Sequence, residues 1–208
     1  MTVPDLDALA DRARNLDTEG RTIVGIGGAP GTGKSTLAKR LTNRLNASGT
    51  PAIQVPMDGF HLADVALRER RLLDRKGAPE TFDAHGYLAL LRRIRTETQN
   101  DVMAPTFERE IEQPIAGAIT IPPAVHVVIT EGNYLLDLDD PWPEVTAELD
   151  EVWFIDLDDN RRRSRLVDRH VKHGKSRDEA QAWVDDVDEP NAIRVATRRE
   201  AAHLVIKE

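Results

Sequence analysis

Residues 25–36 read GIGGAPGTGKST: five glycines and a proline in twelve residues, followed at once by Lys-Ser-Thr. Glycine at this density weakens a helix and gives a strand little to pack. The tract is therefore selected for its backbone. Gly28-Ala29-Pro30-Gly31-Thr32-Gly33-Lys34-Ser35 fits G-x-x-x-x-G-K-[ST] in full. A β-branched run at 22–26 precedes it, and Leu37, Leu41 and Leu45 follow at four-residue steps. The loop thus joins a buried strand to a helix. In that setting the glycines let several backbone amides close on a phosphate, and the helix N-terminus favours the anion. Lys34 reaches the β and γ phosphates, Ser35 is placed to ligate Mg²⁺, and Thr36 lies near the α-phosphate. A chain with this loop binds a nucleoside triphosphate with Mg²⁺. The loop leaves the fate of the γ-phosphate open.

The rest of the chain alternates strands with helices. Helices are expected at 4–16, 34–47, 64–75, 85–99, 158–173, 176–185 and 191–200. Strands are expected at 22–26, 52–57, 102–106, 125–130, 151–157 and 203–206, and 112–121 reads as a hairpin or flap. Such alternation argues for a parallel sheet with right-handed crossovers. The nearly continuous apolar run at 125–130 suits a strand covered on both faces. No linker rich in Pro, Gly or Ser divides the 208 residues, so one domain is expected.

Composition narrows the class. The net charge of −8 disfavours a general nucleic-acid binder. The absence of cysteine removes disulfides, thiolate metal sites and a thiol nucleophile, and suits the cytoplasm. The N-terminus is acidic and amphipathic, without the apolar centre of a signal peptide, and no stretch has the length of a membrane span.

Three further segments carry chemistry. In VPMDGFHL, Asp58 falls at the C-terminal end of a strand, the edge where open α/β sheets bind ligands. A carboxylate there can take a proton from an acceptor hydroxyl or organise Mg²⁺; it can also be a turn-forming Asp-Gly pair. His61 is a candidate pocket wall. VHVVITEGNYLL brings Glu131 to the same edge as a partner for the metal, with Asn133 and Tyr134 as candidate substrate contacts. In residues 158–173, Arg162, Arg165, Arg169 and Lys172 share one helical face. This stripe fits a solvated face, a nucleic-acid surface or a lid that closes positive charge over a triphosphate, and the acidity of the whole chain favours the lid. His170 and His173 read as surface residues. Phe107 and Arg109, in APTFERE, are candidates for the acceptor side; Arg109 fits a surface ion pair equally well.

With these residues in view, the chain resembles the P-loop small-molecule kinases of the phosphoribulokinase, uridine kinase and bacterial pantothenate kinase group. The resemblance covers most of the chain. Its more specific marks are MDGFH, RKGAPETFD, APTFERE, ITEGNYLL and the Arg-rich segment running to DEPNA. Within the group it is most similar to bacterial nucleoside/nucleotide kinase-like or sugar-transport-associated kinases. The resemblance implies a three-layer P-loop fold with a mostly parallel five-stranded sheet, an Arg-rich helical lid near 158–178 and a substrate-side flap near 105–122. It implies transfer of the γ-phosphoryl of ATP to a hydroxyl of a small molecule, a nucleoside, sugar or pantothenate-like metabolite, and allows a homodimer. Asp58 would be the base, Lys34, Arg165 and Arg169 would serve catalysis, and Asn191 would lie near the adenine. The segment after APT departs from its relatives, so the acceptor is left unnamed. The competing reading is a P-loop ATPase or switch that serves a macromolecular partner.

Overall fold

The structure, a computed structural model, describes residues 5–16 and 20–208. Pro4, the first position of the expected N-terminal helix, lies outside the described residues. Helix α1 (Leu6–Arg14) is capped by Asp5, whose carboxylate accepts from the amides of Asp7 and Ala8. Strand β1 (Thr22–Gly27) leads through the glycine loop into α2 (Lys34–Ala47), and β2 (Ala52–Pro56) follows. A 3₁₀ turn (Met57–Phe60), α3 (Asp64–Arg70) and α4 (Ala84–Thr96) lead to β3 (Val102–Glu108) and β4 (Gln113–Ile121). Then come β5 (Val127–Gly132), α5 (Trp142–Ala147), β6 (Glu151–Asp156), α6 (Asp159–Lys172) and α7 (Arg177–Trp183). A π-helical turn (Val184–Asp188) joins α7 to α8 (Glu189–Ala196), and β7 (Leu204–Lys207) ends the chain.

The main sheet has the order β2-β5-β1-β6-β7, with every neighbouring pair parallel. Strand residues face alternate sides, so one strand feeds two cores. Ile23, Val128, Val152 and Phe154 pack with α4 and α5 through Tyr87, Leu91, Trp142 and Val145. Val24, Ile26, Val127, Ile129 and Trp153 pack with α1 and α2 through Leu9, Ala13, Leu37, Leu41 and Leu45. Helix–sheet–helix layering follows, as the sequence implies. From β1 the chain crosses over β5 to reach β2, while β6 pairs on the other side of β1. This change of direction opens a crevice at the C-terminal ends of the central strands.

The opposite edge of the sheet is closed. Arg21 is buried, and its guanidinium donates to the carbonyls of Val125, Ile94, Glu97 and Pro122 at 3.0 to 3.2 Å. Beside it, Asp150 accepts from the amide of Ile23 at 2.7 Å and from Arg95.

Several boundaries differ from expectation. The helix expected at 64–75 stops at Arg70, because Arg71 takes a left-handed conformation with φ 58°. The last long helix begins at Glu189 rather than 191 and ends at Ala196. Helix α5 was not expected; six residues are too few to show a helical period. Strand β5 continues through Glu131 and Gly132. The weak alternation near 112–121 is β4, paired antiparallel with β3 in a separate two-stranded sheet. Among the described residues, no helix is long and apolar enough to cross a membrane.

Candidate active site

Register brings the two acidic strand ends together. Glu131 on β5 pairs with Ile26 on one side and Pro56 on the other. Ile26 lies two residues before the glycine loop, and Pro56 two residues before Asp58. A cleft of about 680 Å³ opens above these ends. Pro30, Gly31, Gly33, Lys34, Ser35 and Thr36 form one wall. Asp58, His61, Phe107 and Arg109 line the cleft too, with Glu131 and Asn133 on the side of β5. Arg165 and Arg169 of α6 line it as well.

The loop is held by its own atoms. Thr32 Oγ1 and Lys34 Nζ both donate to the carbonyl of Ala29 at 2.9 Å. Gly31 has a left-handed φ of 83°, and a Cβ there would lie 2.8 Å from Leu166 Cγ and 3.0 Å from the carbonyl of Arg162. Only glycine lets α6 rest on the loop so closely. Gly28, Ala29 and Thr32 lie behind the cleft wall rather than on it.

Electrostatics single out a few groups. Burial pushes the Lys34 ammonium below its ordinary value, opposed by the charges of Glu131 and Asp58. Burial, reinforced by Asp58, pushes the Glu131 carboxyl up, while Lys34 and a hydrogen bond with Ser35 oppose the rise. Burial lowers Arg169. Among the described residues its guanidinium makes no hydrogen bond and no ion pair, although Arg165 beside it reaches Glu208 at 3.5 Å. His61 is lowered to about 4, chiefly by burial. Its ring stacks on Phe82 at 3.9 Å between centroids, and among the described residues its Nδ1 has no hydrogen-bond partner.

Three expectations are corrected. Tyr134 is fully buried, and its hydroxyl donates to the carbonyl of Gly77 at 2.6 Å. Its ring packs on Phe82 and Trp142 in the core, and it does not line the cleft. Arg162 does not belong to the exposed cationic stripe. It is 1% exposed and paired with Asp159 and Glu189 at 3.0 and 2.6 Å. Nor is His170 a surface residue: its Nε2 meets Asp188 Oδ2 at 2.8 Å, and both line the cleft. Asn191 is buried and donates to the carbonyl of Val187 at 2.9 Å. It lines a second cavity, which shares Lys175 and Trp183 with the cleft. Sequence reasoning missed Lys76, Lys175, Trp183 and Asp188. Lys76 lies in RKGAPETFD, so that segment was the available signal.

The donor set suits Mg²⁺ in company with phosphate. Ser35 offers a hydroxyl beside the buried Glu131 carboxyl, both hard oxygen ligands. Among the described residues no group of three or more His, Asp or Glu converges to form a complete metal cage. A Mg²⁺ ion held here would share its coordination with phosphate oxygens and water, as this ion usually does.

A parallel sheet with this strand order and a phosphate-binding loop after its central strand define a P-loop kinase fold. YFH7 of Saccharomyces cerevisiae has the same fold over 98% of this chain and 99% of its own, with TM-score 0.82 at 18% identity. Sequence then fixes the family. Residues 23–207 match the phosphoribulokinase / uridine kinase family, and the chain belongs to it, among the P-loop kinases of small molecules. The "uncharacterized protein YggC" of Escherichia coli is 34% identical over 196 residues, covering 93% of this chain and 81% of its own. A solved "putative fructose transport system kinase" from Silicibacter is 39% identical with TM-score 0.89, covering 98% of this chain and all of that one.

Proposed function

We propose that this protein transfers the γ-phosphoryl group of ATP to a hydroxyl of a small acceptor held against Asp58. The observation that carries the reading is the shared cleft. The loop lysine and the strand-end carboxylate line one space, and the charge of Asp58 acts on both Lys34 and Glu131. Asp58 accepts the proton of the acceptor hydroxyl as its oxygen attacks the γ-phosphorus. The bridging oxygen leaves with ADP. Lys34 and the loop amides hold the phosphates in line. Arg169, which makes no ion pair among the described residues, stabilises the charge spread over the transferred group. Arg165 sits 3.8 Å from where a Cβ on Gly33 would stand, so it covers the loop from above. Ser35 and Glu131 would hold a Mg²⁺ ion, which would supply neutralisation of the phosphate charge. Residues 158–178 act as the lid and 105–122 as the substrate-side flap.

The test is Asp58→Asn. ADP release should be measured across nucleosides, sugars, sugar phosphates and pantothenate. The variant is expected to lose about 10²- to 10⁴-fold in kcat with the active acceptor. Its affinity for ATP should stay within about twofold, because the γ-phosphate contacts are intact. Full turnover in Asp58→Asn, or turnover raised only by a macromolecule, would replace this reading with the ATPase or switch.

A further inference from the structure

The base that the proposed reaction requires is already occupied by a side chain of the protein. Arg109 Nη2 donates to Asp58 Oδ2 at 3.2 Å. Arg109 belongs to the turn between β3 and β4, and that hairpin is anchored at both ends. At its base, a Cβ on Gly59 would lie 2.6 Å from the carbonyl oxygen of Pro105, so β3 rests directly on the turn that carries Asp58. At its tip, Lys76 donates to the carbonyl of Glu112 at 2.5 Å, and Gln113 Oε1 accepts from the amide of Asp64 at 3.1 Å. The scaffold around the pair is fixed. The pair itself is not: the Arg109 side chain is 43% exposed and that of Asp58 26%. An ion pair this open is weak and exchanges readily with a ligand.

The surroundings give the exchange a direction. Arg169 faces the same cleft, and Arg109 repels it while Asp58 attracts it. The triphosphate is the natural partner of Lys34 and Arg169. Arg109 is then the guanidinium left beside the base on the acceptor side. An alcohol that reaches Asp58 must break the Arg109 contact, and the freed guanidinium needs an oxygen anion in return. We propose that Arg109 is a latch over Asp58, released by an acceptor that carries a carboxylate or phosphate within a few bonds of the hydroxyl to be phosphorylated. The inference rests on the kinase reading above. While the latch is closed, a water in place of the acceptor meets a carboxylate whose Oδ2 is already engaged by Arg109, so attack of water on the γ-phosphorus is slowed. With an acidic acceptor bound, the hydroxyl faces Asp58 and the anion holds Arg109 aside.

Arg109→Met tests both halves, because it keeps the stem and removes the charge. The first readout is hydrolysis of MgATP without any acceptor. The variant should hydrolyse faster than the parent by about 10-fold or more, and adding Asp58→Asn should cancel the gain. An unchanged rate in Arg109→Met overturns the latch. The second readout is ADP release with matched acceptors: glycerate and glycerol, ribose 5-phosphate and ribose, pantothenate and its alcohol. At least one acid should exceed its neutral partner in kcat/KM by about 10-fold or more, and Arg109→Met should erase that preference mainly through KM. A panel in which no acid exceeds its neutral partner overturns the acceptor class. Failure of the kinase reading looks different: no alcohol raises ADP release by the parent protein or by Arg109→Met.

Discussion

Two arginines at opposite edges of one sheet show how differently this chain treats charge. Arg21, at the N-terminal edge, gives its guanidinium to four backbone carbonyls. Arg169, at the C-terminal edge, is partly buried and, among the described residues, bonds to nothing through its side chain. Burial without partners costs free energy. The closed edge avoids that cost, and the open edge accepts it at Arg169. The difference teaches where ligand-directed charge sits. Arg21 completes the fold, whereas on the proposed reading Arg169 is completed by an anion from outside.

The largest effect expected on this contrast is in stability. Arg21→Met keeps the aliphatic stem but leaves four carbonyls short of a donor. It should cost about 3 kcal/mol, read as a lowered unfolding midpoint in denaturant, with kcat of the folded protein unchanged. A loss of activity at full stability would show that the closed edge also serves the reaction.

A smaller effect should appear with pH. The folded His61 has its pKa lowered to about 4, while the unfolded chain titrates near 6.5. Between these values the unfolded state binds the proton that the folded state refuses. Stability should therefore fall as pH drops below about 6.5, with the loss complete near 4. The loss amounts to about 1–2 kcal/mol, less than the full shift implies because part of the residue still meets the cleft. His61→Gln should flatten this limb of the stability–pH curve. An unaltered limb would mean that His61 charges freely in the fold.

The parts of this molecule that sequence makes legible are those set by contiguous residues. The glycine loop and Asp58 follow strands and Glu131 lies among the last residues of one, and a strand's C-terminal end in a parallel sheet is already a position in space. The parallel sheet followed from the same alternation, whereas its count of five strands came from the family resemblance. Legibility failed where a partner comes from far along the chain. Helical spacing places Arg162, Arg165 and Arg169 on one face, but it does not say what covers each turn. The first turn of α6 meets Glu189 and rests on Gly31, while the later turns meet the cleft. His170 finds Asp188 only because a π-helical turn intervenes between α7 and α8, and no periodicity announces such a turn. Tyr134 follows a cleft residue in sequence, yet its ring turns into the aromatic core. The cleft beyond the strand ends was less legible: in sequence Arg109 fits a surface ion pair equally well, and Lys76 reaches the cleft from an irregular segment.

The most direct test of the contrast is thermal unfolding of Arg169→Met, without ligand and with a non-hydrolysable MgATP analogue. If the charge at this edge is kept for a ligand, the free variant should melt no lower than the parent protein. A rise of about 2–4 °C is expected if removing the unpaired charge is worth roughly 1 kcal/mol. The stabilisation gained from the analogue should shrink relative to the parent. A free variant that melts several degrees lower, with its response to the analogue intact, would make Arg169 a structural cation and contradict the account.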